Sequence, residues 1–257
     1  PDIVIHLAAQ PLVRESYINP RHTIETNVMG TTNVFEAIRH TPSVKSVVNV
    51  TTDKCYENRE WAWGYREDEA MGGYDPYSAS KGCSELITSA YRRSFFNNGV
   101  ALASARAGNV IGGGDWASDR LIPDILRSFE KNEAVVIRNP KATRPWQHVL
   151  EPLSGYLTLA IALSKRSEMH GEAFNFGPIS QQNHTVIELV REMATHWTQV
   201  RWNDVSNSVA GPYESGLLKL NCDKALHHLH WNAVMGFEDT VRMTAEWYRA
   251  YYEEPAT

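Results

Sequence analysis

The sequence predicts an α/β fold built on a doubly wound parallel sheet, and three observations predict it. Residues 3–8, 44–50 and 100–105 are short continuous apolar runs with β-branched residues, the pattern of strands buried on both faces. A pattern with the period of an amphipathic helix separates the first two, and a helix started by a proline separates the last two. The resulting order of strand, helix, strand, helix, strand calls for parallel strands joined by crossovers.

Each element has its own local cause. Between residues 23 and 40, Ile24, Val28, Thr31, Val34, Phe35 and Ile38 recur at spacings of three and four and give one apolar face, which Pro42 ends. After a polar, aromatic loop, Pro76 starts a helix that runs to about Phe96. Beyond the third strand the pattern loosens. The stretch "GNVIGGGDW" reads as a loop, 122–130 as a helix, 135–137 as a short strand, 151–164 as a helix and 173–176 as a return to the sheet. Residues 186–197 and 237–252 read as two further amphipathic helices. With no repeat and no low-complexity linker, the chain divides into a partial Rossmann-like domain, residues 1–106 and 147–177, and a smaller interleaved α/β lobe, residues 107–146 and 178–257.

Composition narrows the function. At 257 residues, 42% hydrophobic and 21% charged, the chain has the makings of a globular protein with a large core. A net charge of −5 gives no general basic surface for nucleic acid or anionic membrane, so a small-molecule partner is expected. The most apolar long stretch, 153–163, is too short to span a bilayer. Three cysteines without metal-like spacing suit a reducing cytoplasm. The sequence opens on Pro1 and then "DIVIHLAA", an interior-strand pattern, and contains no G-x-G-x-x-G; the amino-terminal strands of such a sheet are expected to be missing from it.

Two short stretches carry the chemistry. Tyr77 and Lys81 lie four apart on a predicted helix and so share a face. Alone, the pair reads first as helix surface. Here a strand ending in Thr51 and Thr52 precedes it, and both meet at the carboxyl edge of the sheet, where ligands of such folds bind. A phenol beside an ammonium is lowered in pKa and can act as a base, with the Thr52 hydroxyl sharing its proton. Asp53 and Lys54 follow at once in "TTDK"; by themselves they suit a solvated turn. His227, His228 and His230 do not suit a metal, since adjacent helical positions point about 100° apart. Gly112 to Gly114 read as a flexible substrate-side loop.

Further pieces fall into a family pattern. "HLAAQ", "TNVMGTTNVFEAIR", "TTDK" and the Tyr77–Lys81 pair resemble the extended short-chain dehydrogenase/reductase family. Within it, "TTDKCYENREW", "GYDPYSASKGCSE", "RAGNVIGGGDW", "DRLIPDILRSF" and "RPWQHVLEPLSGYL" are similar to the CDP-glucose 4,6-dehydratases, and "FNFGP" and "LLKLNCDKA" extend the match. The resemblance implies a doubly wound domain binding NAD, a nucleotide-sugar substrate and a homo-oligomer, a dimer or tetramer. It implies that Tyr77 and Lys81 oxidise the sugar with NAD, with Asp53 as the acid and Lys54 as the base of an elimination. Ala8 and Ala9 would let the cofactor approach the backbone, although core packing accounts for them as well. Asn109 is expected to contact substrate or simply to form a turn. Arg144, which fits the family pattern, and Arg120 suit a diphosphate, because a guanidinium fork matches phosphate oxygens. Two other readings stay open: a nucleotide-sugar 4-epimerase, which needs Tyr and Lys but no acid–base pair for elimination, and a non-catalytic sugar-nucleotide-binding module.

Overall fold

A computed structural model describes residues 1–97, 99–137, 139–179, 182–204 and 217–253, so parts of the expected second lobe lie outside the described residues. In chain order the first half runs β1 (Ile3–His6), α1 (Val13–Ile18), α2 (Pro20–Ile24), a π-helical turn (Glu25–Met29), α3 (Gly30–Arg39), β2 (Ser46–Val50), α4 (Pro76–Phe95) and β3 (Ala101–Ala107). The second half runs β4 (Val110–Ile111), α5 (Leu121–Glu130), β5 (Val135–Ile137), β6 (Thr143–Arg144), β7 (Gln147–His148), α6 (Leu150–Lys165) and β8 (Ala173–Phe176). It ends with β9 (His184–Thr185), α7 (Val186–His196), β10 (Trp202–Asp204), α8 (Asp223–Leu229) and α9 (Phe237–Glu253).

The main sheet has the order β1-β2-β3-β8, all parallel, with Val47 opposite Leu102 and Ala105 opposite Phe174. Alternation along each strand sends neighbouring side chains to opposite faces. Val47 and Leu102 join Phe35 and Ile38 of α3 on one face; Val48, Ala103 and Ala105 join Tyr156 and Leu159 of α6 on the other. Helices therefore cover both faces, as a doubly wound sheet requires. A separate apolar cluster packs α5, β5, α7 and α9 around Leu126, Leu189 and Val241, beyond the carboxyl edge of the sheet.

The expected helix over residues 23–40 is three segments. Asn27 sits in the π-helical turn, where its amide donates to the Gln10 carbonyl at 3.0 Å and the Ser80 hydroxyl at 2.8 Å. That inward polar anchor displaces the regular ladder by one residue. The run expected to end at Ala105 continues to Ala107, and two residues of the expected loop after it form β4 against β7. Among the described residues, no helix is long and apolar enough to cross a membrane.

Candidate active site

Past the carboxyl ends of β1, β2 and β3 the chain encloses a cleft of about 450 Å³. Thr52, Asp53 and Lys54 line it from the end of β2, Tyr77 from the first turn of α4 and Asn109 from the exit of β3. Arg120 lines it from the start of α5 and Arg144 from β6. Residues far apart in sequence thus converge on one site. Lys81 lies behind Tyr77, its ammonium donating to the Val50 carbonyl at 3.2 Å. Ala8 is exposed and Ala9 half-buried past the end of β1, and neither lines this cleft.

Local sequence fixes both candidate segments. Asp75 caps α4, accepting from the Ser78 backbone N–H at 2.9 Å and from its hydroxyl at 2.6 Å, and Pro76 takes the first helical position. Such a cap is worth about 1 kcal/mol and sets where Tyr77 leaves the helix. At the end of β2, the Thr52 oxygen accepts from the Lys54 N–H at 3.3 Å, starting a single 3₁₀ turn over Asp53–Cys55. The same hydroxyl donates to Asp53 Oδ1 at 3.0 Å and also hydrogen-bonds the Tyr77 phenol. Thr52 therefore stands between phenol and carboxyl.

Burial dominates the electrostatics. Asp53 is 2% exposed, and burial holds its carboxyl above the usual carboxylate range against Lys54, the Thr52 bond and Arg144. Its Oδ2 makes no hydrogen bond among the described residues. Burial pushes Tyr77 up to about 12, opposed by the Thr52 bond and reinforced by Asp53. It pushes Lys81 down to about 8, with Glu85 and Cys55 opposing. The expected lowering of the phenol by Lys81 is not what this geometry produces. The ammonium is turned to Val50, and its field falls on Glu85, Cys55 and His6.

Two cleft residues carry no strong sequence signal. Arg14, on the short α1, lines the cleft and pairs with Asp119 at 3.5 Å. Tyr156 of α6 lies close enough to Tyr77 for the phenols to interact, and burial raises it, with Tyr77 adding to the shift. Arg120, expected to await a phosphate, is paired with Asp115 at 2.9 Å. The glycine run is not a free loop: a Cβ at Gly113 would overlap the Trp247 indole at 2.1 Å.

Known proteins resemble the chain closely. A family model described as GDP-mannose 4,6 dehydratase matches residues 1–244. A CDP-glucose 4,6-dehydratase of Salmonella typhimurium is 54% identical over 260 residues, which cover 98% of this chain and 71% of that protein. A dTDP-glucose 4,6-dehydratase of Shigella flexneri is 26% identical over 273 residues, covering 97% and 73%. Among solved structures, UDP-glucuronic acid 4-epimerase from Bacillus cereus, in complex with UDP-glucuronic acid and NAD, has a TM-score of 0.84 at 19% identity and covers 98% of this chain and 76% of that one. The dTDP-glucose 4,6-dehydratase of Bacillus anthracis, in complex with NAD, gives 0.76 at 20% identity, covering 98% and 74%. At those identities the structural likeness speaks for the fold.

Proposed function

Since the chain belongs to the GDP-mannose 4,6 dehydratase family, we propose that it is a hydro-lyase of deoxysugar synthesis, converting CDP-glucose to CDP-4-keto-6-deoxyglucose and water. The observation that carries the chemistry is Asp53. A buried carboxyl held above its usual range, with one oxygen unbonded among the described residues, is suited to give a proton to a leaving hydroxyl. A 4-epimerase has no step that uses such a group, and a binding module has no need of it.

The site suits NAD. The Lys81 ammonium, 6% exposed, spends one of its three N–H groups on Val50. The others suit ribose hydroxyls, and Ala8 and Ala9 mark where the cofactor would approach the end of β1. NAD, held there, would supply a hydride acceptor for sugar C4 and a hydride donor for C6, with no net change in its own oxidation state. The protein handles the protons. Tyr77, as phenolate, takes the C4 hydroxyl proton; the Thr52 bond and the Arg120 charge favour the ionised phenol against its burial. The new C4 carbonyl acidifies the C5 hydrogen, and Lys54 removes it. As the C5 electron pair forms the C5–C6 double bond, the C6–O bond breaks and Asp53 protonates the departing oxygen to water. Lys54 then returns its proton to C5. Tyr77 finishes with one proton too many and Asp53 with one too few, and Thr52, bonded to both, lies where it can pass the proton between them.

Arg144 and Arg120 hold the diphosphate, Arg120 exchanging its bond to Asp115, while Asn109 faces the sugar. The sheet domain, residues 1–106 and 147–177, holds the cofactor, and the rest forms the substrate lobe. A cytoplasmic dimer or tetramer completes this reading. Glu57, another carboxylate near the "TTDK" turn, is exposed and lies outside the cleft lining, which favours Lys54 as the base. Lys54→Met tests the assignment. It should still oxidise C4, building reduced cofactor in a single turnover, yet stop exchange of the C5 hydrogen with deuterated solvent; exchange near the parent rate would exclude lysine as the base.

A further inference from the structure

Beneath the cleft, and outside its lining, lies a buried ion pair that the mechanism does not use. Arg106 of β3 meets Glu85 of α4 through two bonds, Nε to Oε1 and Nη2 to Oε2, both at 3.0 Å. Glu85 also accepts from the Thr51 hydroxyl and, at 2.7 Å, from that of Ser104. The remaining Arg106 nitrogen, Nη1, donates to the Tyr56 hydroxyl at 2.8 Å and to the Glu67 carbonyl at 2.9 Å. Tyr56 in turn donates to Asn175 of β8 at 2.7 Å.

Every segment that carries a catalytic side chain is tied to this pair. Thr51 immediately precedes Thr52, Asp53 and Lys54, and Tyr56 closes the same turn. Glu85 follows Tyr77 and Lys81 at intervals of four on α4, so all three share one face. Arg106 is the penultimate residue of β3, just ahead of Asn109. A buried ion pair gains little stability over a well-packed apolar pair of the same volume, so stability alone does not account for it.

We propose that Arg106 and Glu85 are positioning residues that set the register of the catalytic strand end against the catalytic helix, holding Asp53 and Lys54 at the distance from Tyr77 that the elimination needs. The proposal rests on the dehydratase reading only for its kinetic arm. Its other arm is local backbone protection, which needs no substrate.

Three variants test it. Thr51→Val removes one tie and no charge; the double variant Glu85→Leu/Arg106→Met removes the pair together; Thr51→Ser restores the hydroxyl. With CDP-glucose as substrate, Thr51→Val should lower kcat about tenfold with KM within twofold, and Thr51→Ser should recover most of that loss. The double variant should hold its Tm within a few degrees of the parent while kcat falls about a hundredfold, the scale of an ångström misplacement. By amide hydrogen exchange, residues 51–56 should exchange faster in both while β3 stays protected. A double variant with parent Tm, kcat within twofold and unchanged exchange at 51–56 would overturn the inference. Should the double variant fail to fold, Thr51→Val decides: unchanged exchange there is equally fatal. A parent inactive on CDP-glucose would refute the substrate reading and leave the exchange result to judge the positioning.

Discussion

Asp53 and Glu85 are both buried carboxyls near the carboxyl edge of one sheet, and their neighbours leave them in opposite states. Burial pushes each upward. Asp53 is bonded by Thr52 on one oxygen and, among the described residues, by nothing on the other, and it stays above the ordinary range. Glu85 is forked by Arg106 and bonded by Thr51 and Ser104, and these donors overcome its burial and hold it below that range. Donors aimed at the charged form, rather than depth, decide whether a buried carboxyl is a proton reservoir or a fixed anion. The molecule places one of each on either side of Thr51 and Thr52.

The sharpest way to break that contrast is to neutralise each carboxyl in turn. Asp53→Asn should cost about 10³ in kcat, within the usual range for a general acid, while leaving Tm unchanged or higher, because a poorly bonded buried carboxyl is replaced by an amide. Product formation and a melting curve check both. If kcat stays within tenfold of the parent, Asp53 is not the acid and the two groups do not differ in kind.

Stability should respond in the opposite way. Glu85→Gln leaves the Arg106 guanidinium buried without its counter-charge, a loss of about 3 kcal/mol. The pH dependence separates the groups further. Glu85, lowered in the fold, stabilises above its unfolded value of about 4.3, and that contribution disappears as pH falls through its folded pKa. Asp53, raised in the fold, stabilises below its unfolded value of about 3.9 and loses that contribution as pH rises through its folded pKa. The Tm deficit of Glu85→Gln should therefore shrink in acid, and any Tm advantage of Asp53→Asn should grow toward neutral pH. Parallel melting curves for the three proteins from about pH 2 to 8 would contradict both assignments.

The same contrast shows which features were legible in the sequence. Strands β1 and β2 announce themselves as apolar runs, and α3 by an apolar stripe. Helix α4 does not: its buried stripe is Tyr77, Ser80, Lys81, Ser84, Glu85 and Thr88, while Leu86 is exposed. No hydrophobic period reveals that face, because it packs against the equally polar Asn49, Ser104 and Arg106, and Asn49 donates to Ser84 at 3.1 Å and to Thr88 at 2.7 Å. Arg106 also explains why β3 runs longer than expected, since an arginine reads as the end of a buried strand unless its partner 21 residues earlier is known. Asp53 and Lys54 resemble a solvated turn by composition, and only the family pattern distinguishes them. Asp53 is met by segments distant in sequence: Gly108 lies against its carboxyl and the Arg144 charge acts on it. The six-residue α1 and seven-residue α8 are too short to show a period.

The smallest test acts on the unbonded oxygen itself. A Cβ at Gly108 would lie 2.9 Å from Pro145 Cγ and 3.1 Å from Asp53 Oδ2, both closer than ordinary contact. Either the proline ring or the carboxyl must give way in Gly108→Ala. Among the described residues Oδ2 has no bond to break, so rotating the carboxyl strains only the Thr52 bond to Oδ1 and is the easier path, and it turns the carboxyl away from the proposed leaving hydroxyl. The cost in stability should be about 1 kcal/mol, the low end for overpacking, with kcat down several-fold and KM little changed. The Glu85 carboxyl, fixed at both oxygens, could not yield to a methyl group so cheaply. A variant with parent kcat and a lowered Tm would show that Pro145 moves instead, and that the aim of Asp53 is set by Thr52 alone.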